Sequence, residues 1–318
     1  FNWVLGLVMF LLVLGSNFTG YLLPWDQLAF WAITICTGML EYIPAIGVGL
    51  KKMISGGNEI GPATLSNFFA VHTAVIPACL VILMPFHFWR VRKSKGLVIP
   101  RTPQEDPADK GESVATIPNL IIRELAVAAV LMALIMVVSV LFNAPLEAKA
   151  NPGLSPNPTK APWYFAGLQE LLLHFHPLFA VLLIPVVTAV ALFFLPYIRY
   201  DADTAGVWFA SLRGRRTAIV AAVVGLIITP PAIIADEFIV DVAAWMPGVP
   251  AVISNGLLPA ALVLAAIIGF YGLMKRYYAA NNNEAIQAVF VLLLMAFIIL
   301  TITCIWFRGS GMALMWPG

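Results

Sequence analysis

Seven separate stretches of this chain are long and apolar enough to cross a membrane, and that feature limits its fold more than any other. They occupy residues 3–23, 68–89, 120–142, 177–196, 217–235, 249–273 and 285–307. Each meets the requirement of about 20 mostly apolar residues set by the thickness of the bilayer's hydrocarbon. Charged residues make up only 11% of the 318 and hydrophobic ones 61%, whereas an ordinary soluble domain carries about 25% charged. A water-soluble globule is excluded. So is a nucleic-acid partner, because 18 basic residues nearly balance 16 acidic ones and leave no excess to neutralise phosphates. A span in lipid must satisfy its own backbone polar groups. The expected fold is therefore all-α, a polytopic transmembrane helical bundle of about seven spans with lipid around it.

Loop charges orient the spans. Thirteen Lys and Arg residues, from Arg90 to Arg276 and including Lys95, Arg101 and Lys110, fall on one side; Lys51, Lys52, Lys149, Lys160 and Arg308 fall on the other. The richer side is the cytoplasmic, electrically negative one. Pro118 suits the first turn of the third span, while Pro77 and Pro85 should kink the second. Two positive-side segments, 24–67 and 144–176, exceed the roughly 12–15 residues of an ordinary loop. Their aromatic content points to an ordered cap. Asp236, Glu237 and Asp241 read as interfacial residues, and the tail from Phe307 and Arg308 onward as an anchor or docking segment. Cys36, Cys79 and Cys304 form no C-x-x-C pair, which removes iron–sulfur, structural zinc and covalently attached haem.

His72 and His87 both lie within the second span, an expensive place for an ionisable ring and a functional-site hypothesis by default. Fifteen residues of helix separate them by roughly 22 Å and leave them about 60° from eclipsed. That arrangement suits two haems at different depths, each taking one axial imidazole; two packing histidines bonded to neighbouring helices remain the alternative. His174 and His176 stand together at the positive-side mouth of the fourth span. They read either as interfacial residues or as carriers of protons to the outer water.

Three separated motifs resemble the cytochrome b family. Gly20-Tyr21-Leu22-Leu23-Pro24-Trp25-Asp26-Gln27, followed by Phe30-Trp31-Ala32, looks like the end of that family's third helix. The Pro-Trp-Asp-Gln version and the fifteen-residue histidine spacing are similar to the branch found in photosynthetic quinol oxidases. Arg90-Val91-Arg92-Lys93 continues the likeness, and Pro162-Trp163-Tyr164-Phe165 resembles the Pro-Glu-Trp-Tyr motif of the quinol-oxidation pocket. The resemblance covers residues 1–196.

It implies a cytochrome b-like bundle holding two haem b groups, with His72 and His87 as iron ligands. Tyr21, Pro162, Trp163 and Tyr164 would border the quinol pocket, and Arg123 with Glu124 the quinone-reduction site. The division expected is 1–117, an incomplete haem-binding part with the outer amphipathic loop, and 118–318, carrying the quinol-pocket loop and extra spans. The activity implied is that of a quinol:electron-acceptor oxidoreductase subunit, coupled to proton release. A Rieske-type iron–sulfur protein, a c-type cytochrome subunit and a homodimeric complex in a bacterial inner membrane go with it.

Two departures matter. The family's first two helices, which bear the other axial histidines, have no counterpart, so a further chain or upstream residues are expected to supply them. The motif's acid is replaced in Ala161-Pro162-Trp163-Tyr164; Glu170, which follows on the same face of the membrane, is the expected substitute, with local capping or pairing as the alternative. A diverged haem b subunit of another membrane quinone oxidoreductase is the second reading. A non-redox transporter or scaffold is the third, and it leaves the histidine spacing unexplained.

Overall fold

The computed structural model describes residues 1–94, 114–199 and 207–316; Lys95, Arg101 and Lys110 lie outside them. In chain order the helices are α1 (Asn2–Tyr21), α2 (Gln27–Gly38), α3 (Gly47–Ser55), α4 (Pro62–Ala70), α5 (Ile76–Lys93) and α6 (Thr116–Leu141). They continue with α7 (Trp163–Leu173), α8 (Ile184–Phe194), α9 (Leu212–Phe238), α10 (Val242–Trp245), α11 (Leu258–Tyr277) and α12 (Asn282–Trp306). No strand occurs among the described residues. Seven helical stretches among the described residues are long and apolar enough to span a membrane, and each coincides with one expected from the sequence.

Three of those spans contain a wide, five-residue turn of the i→i+5 kind, and each ends two residues before a proline. Val71–Val75 precedes Pro77, Phe179–Leu183 precedes Pro185, and Ile253–Leu257 precedes Pro259. Proline lacks an N–H and clashes with the carbonyl four residues back. Widening the preceding turn relieves that clash while the neighbouring N–H groups stay bonded, as lipid demands. The first wide turn joins α4 to α5 and contains His72. Its lower twist per residue takes up part of the offset between His72 and His87 expected for a regular helix. Pro85 lies within α5, and the helix runs through it.

α12 is the hub of the C-terminal half and packs along α7, α9 and α11. Ala285 and Ala288 at its start close with Ala221, Met274 and Ala280 into a buried cluster. Small residues there let helix backbones approach, the device by which packing replaces the hydrophobic effect in lipid. Gly167 does the same for α7, because a Cβ there would run into Thr301 and Phe297 of α12. α6 differs: it buries none of its residues.

The two ends of the bundle carry different contacts. At one end Phe1 meets Arg90, the Trp3 indole donates to the Leu192 carbonyl at 2.8 Å, and Arg213 donates to the Ala279 carbonyl at 2.6 Å. At the other, residues 24–27 pair with 147–151, and the His176 N–H donates to the Asn255 carbonyl at 2.7 Å. The loop charges assign the first of these ends to the negative side and the second to the positive side.

Candidate functional site

α1 and α5 run antiparallel and in contact, and both intramembrane histidines are turned toward α1. His72 lies against Gly20: a Cβ there would fall 2.5 Å from the imidazole Cε1 and 2.9 Å from Nδ1. Only glycine leaves room for the ring. The His72 Nδ1 stands 2.9 Å from the Ser16 carbonyl oxygen, with the Ser16 and Thr19 hydroxyls each at 3.4 Å. A carbonyl can only accept, so Nδ1 carries the proton and Nε2 keeps its lone pair. Nε2 has no hydrogen-bond partner among the described residues, and this is the tautomer an iron ligand needs.

At the other end His87 approaches Gly6, where a Cβ would sit 3.7 Å from Cε1. Among the described residues, the His87 Nδ1 is buried without a partner, as are Asn2 Oδ1 and Arg90 Nε nearby. A buried polar atom left unpaired costs about 1–3 kcal/mol, so three of them at one end of a helix pair ask for a polar occupant. Gly6 and Gly20 thus face His87 and His72 from the same helix. Sequence reasoning missed the two glycines, although their fourteen-residue spacing inside an apolar run nearly repeats that of the histidines.

On the positive side, Pro24-Trp25-Asp26-Gln27 is a dock for the strip that follows α6. Asp26 caps α2 by accepting from the Ala29 N–H at 2.8 Å, and its second oxygen accepts from the Glu147 N–H at 3.2 Å. The Gln27 Oε1 accepts from the Asn151 N–H at 2.6 Å, while its amide nitrogen donates to the Leu154 carbonyl. The Trp25 carbonyl accepts from the Ala150 N–H at 3.1 Å. A shallow cleft opens between these segments, lined by Pro24, Trp25, Asp26, Leu146, Glu147 and Lys149. Held this way, the strip delivers Pro162 as the cap of α7. Tyr164 then turns toward α1, where it hydrogen-bonds Asn17, and lies within electrostatic reach of Tyr21. Burial pushes the Tyr164 phenol upward, and the Asn17 bond offsets part of the shift. Trp163, beside it, is exposed.

The structure turns Glu170 to a different face of α7. Six helical residues put it about 9 Å along the axis and some 120° around it from Tyr164. Its carboxylate is fully buried. Arg308 donates to it through Nε at 3.1 and 3.0 Å and through Nη2 at 2.7 Å, and through Nη1 to Glu237 at 2.8 Å. His174 completes the cluster, with Nε2 at 3.4 Å from Glu170 and Nδ1 at 2.6 Å from Asp236. Burial by itself would raise the Glu170 carboxyl, but the bonds from His174 and Arg308 and the guanidinium charge outweigh it, and the net shift is downward. For His174 burial by itself would lower the imidazole; its bonds to Glu170 and Asp236 outweigh that, and its pKa is raised. Asp236, Glu237 and Arg308, which read from sequence as interfacial, are thus members of an ion network whose inner pair, Glu170 and Arg308, is buried and whose outer carboxylates reach the surface.

His176 lies apart, its ring edge-on to Tyr42 at 6.0 Å. Arg123 and Glu124 are exposed on α6 and touch none of the other candidate residues. No cluster of three or more His, Cys, Asp or Glu side chains suited to a metal ion occurs among the described residues.

An all-helical membrane bundle with one imidazole near each end of a shared helix pair defines the class. Residues 1–154, just under half of the 318, match the family model described as cytochrome b (N-terminal)/b6/petB, and in that part the chain is similar to the cytochrome b family. Cytochrome b of Rhodobacter capsulatus is 32% identical over 181 residues, covering 54% of this chain and 41% of that protein. Cytochrome b6 of a Desmonostoc species is 40% identical over 92 residues, 29% of this chain and 43% of the relative. The chain thus matches about two-fifths of the length of these relatives. A solved structure titled hyperthermophilic respiratory Complex III shares the fold, with a TM-score of 0.57 at 21% identity, over 93% of this chain and 71% of that one. The protein is an integral membrane protein.

Proposed function

We propose that this protein is the haem-carrying membrane subunit of a cytochrome bc-type complex that takes electrons from quinol, passes them across the bilayer and releases the quinol's protons at the positive face. One observation carries the reading: on a single pair of helices, His72 faces Gly20 at one depth and His87 faces Gly6 at another. The residues fit haem b at both places. His72 Nε2 is left free by the Ser16 carbonyl, and the orphaned atoms of Asn2, His87 and Arg90 suit a group with polar substituents. Haem b held by these imidazoles supplies one-electron transfer at two depths.

The chain's own residues do the rest. Ser16 orients the His72 ring. Gln27 and Asp26 hold the strip that presents Pro162, Trp163 and Tyr164, which together with Tyr21 border the quinol pocket. Tyr164 is the polar group there that meets the quinol head. Arg123 and Glu124 mark the quinone-reduction side, at the negative face. Glu170 acts as a fixed charge beside His174 instead of meeting the quinol directly. Residues 1–117 hold the haem ligands, and 118–318 supply the pocket loop and the additional spans. The remaining axial imidazoles come from beyond these residues, since His174 and His176 both lie at the positive end. A Rieske-type protein and a c-type cytochrome receive the other electron, in a homodimeric complex of a bacterial inner membrane. Moving one charge through the field requires about 2.3 kcal/mol per 100 mV. That work is conserved only when electrons and protons leave on opposite faces.

A reduced-minus-oxidised optical spectrum of the purified complex tests this. Two b-type α bands, one lost with His72→Ala and the other with His87→Ala, are expected. A complex with neither band would refute the reading.

A further inference from the structure

The cluster around Glu170 holds two more negative than positive charges with His174 neutral, and protonation of His174 halves that excess. Glu170, Asp236 and Glu237 supply three carboxylates against the single guanidinium of Arg308. Both ring nitrogens of His174 face carboxylate oxygens, at 3.4 Å for Glu170 and 2.6 Å for Asp236. Only the imidazolium has two N–H donors to satisfy both. Exposure rises along this line, from 0% for the Glu170 side chain through 12% for His174 to 43% for Asp236. A proton can therefore enter at the buried end and leave at the wet one.

We propose that Glu170, His174 and Asp236 form the proton exit of the quinol side, with His174 as the carrier and Arg308 as the residue that holds Glu170 in place. The proposal rests on the quinol-oxidising reading above and gives its protons a route that does not need the missing acid of the Pro-Glu-Trp-Tyr motif. In one transfer the quinol O–H bond breaks and its electron leaves along the electron path. The His174 Nδ1–H bond breaks toward Asp236, whose proton passes to the outer water. The imidazole left behind keeps its Nε2–H; it rotates to turn the bare Nδ1 inward, where the quinol's proton, handed on by water, forms the new N–H bond, and the imidazolium between its two carboxylates is restored as the ring turns back. The charges facing His174 are Glu170 from α7, Asp236 and Glu237 from α9, and Arg308 beyond α12. Cys304 and Lys160 lie within reach of the same field. His174 is raised above its ordinary value by its bonds to Glu170 and Asp236, in spite of burial, as a resting imidazolium must be.

The test uses the intact complex in lipid vesicles, with duroquinol as donor, ferricyanide as acceptor and an external pH dye. In the wild type, duroquinol oxidation is expected to rise with pH through one titration lying above 6.5, the ordinary imidazole value. His174→Gln keeps hydrogen bonds but carries no proton. It is expected to slow oxidation and dye-detected proton release about tenfold or more and to abolish that titration, with added imidazole restoring part of the rate. Asp236→Asn, at a half-exposed position that tolerates change, is expected to keep the titration but move it to lower pH. Variants with both haem bands intact and wild-type rates and pH profile would overturn the relay and leave His174 as a structural bridge only. A wild-type complex with b-type bands but no duroquinol oxidation would overturn the relay together with the quinol-oxidising reading. Absence of the b-type bands would instead strike at the haem assignment itself. If His174→Gln fails to assemble, an unchanged profile in Asp236→Asn overturns the relay by itself.

Discussion

Arg308 and Glu170 stand 138 residues apart in the chain and meet through the Nε and Nη2 edge of the guanidinium, at 2.7–3.1 Å, with both side chains almost wholly buried. The same guanidinium holds Glu237 and the Met312 carbonyl, so one side chain ties α7, the end of α9 and the C-terminal tail together. Removing one partner of a buried ion pair leaves an uncompensated charge and costs about 3–5 kcal/mol, whereas replacing both by apolar groups of similar size is often neutral. Arg308→Met should therefore lower the thermal midpoint of the solubilised complex steeply. Arg308→Met combined with Glu170→Leu should recover much of the loss. Equal damage from the single and the double variant would show that the pair does not carry this stability.

Gly20 and Gly6 give a graded prediction. A methyl at Gly20 collides with the His72 ring, while one at Gly6 only reaches ordinary contact with His87. Gly20→Ala should weaken or remove one b-type band. Gly6→Ala should leave both bands, and Gly6→Leu should remove the second. Optical spectra of the three variants check this.

Gln27 holds residues 151–154 with its side-chain amide, and a buried backbone group left unpaired costs about 1–3 kcal/mol. Gln27→Ala should loosen the strip before α7. Trypsin should then cut faster at Lys149 and Lys160, with slower quinol oxidation and unchanged haem bands.

The ion cluster sets a pH window for stability. His174 has a raised pKa when folded, so its contribution is fully present below the unfolded value of 6.5 and fades as pH rises through the folded one. Glu170 has a lowered pKa, so its contribution is present above the unfolded value of 4.5 and fades as pH falls through the folded one. Thermal stability should be greatest between these ordinary values. His174→Gln should flatten the alkaline limb and, because His174 helps to lower the Glu170 carboxyl, weaken the acid limb in part, as melting curves across pH will show.

Much of this molecule was legible before folding because membrane spans announce themselves locally. All seven coincide with apolar runs, and His72 and His87 stood out as costly residues in one of them. The wide turn at Val71–Val75 was not legible, because Pro77 signalled only a break and not how the backbone would absorb it. The role of Asp26 and Gln27 as a dock was equally hidden, since backbone pairing with residues 147–154 has no period in the sequence. Arg308, Glu237 and Asp236 looked like charges at span ends for the same reason. Each lies at an interface, but the fold brings those ends together around Glu170. Glu170 reads from sequence as a substitute acid or as a locally pairing residue, on its position shortly after Tyr164 alone. Six residues of helix point them apart, and the ion network around Glu170 leads instead to His174.

The most direct test of the central claim is an experimental density map of the intact complex at a resolution that shows porphyrin rings. The account predicts a macrocycle at His72 and a second at His87, each met by an imidazole nitrogen of this chain, on the α1 side of α5. Density for both side chains with no porphyrin beside either would contradict it.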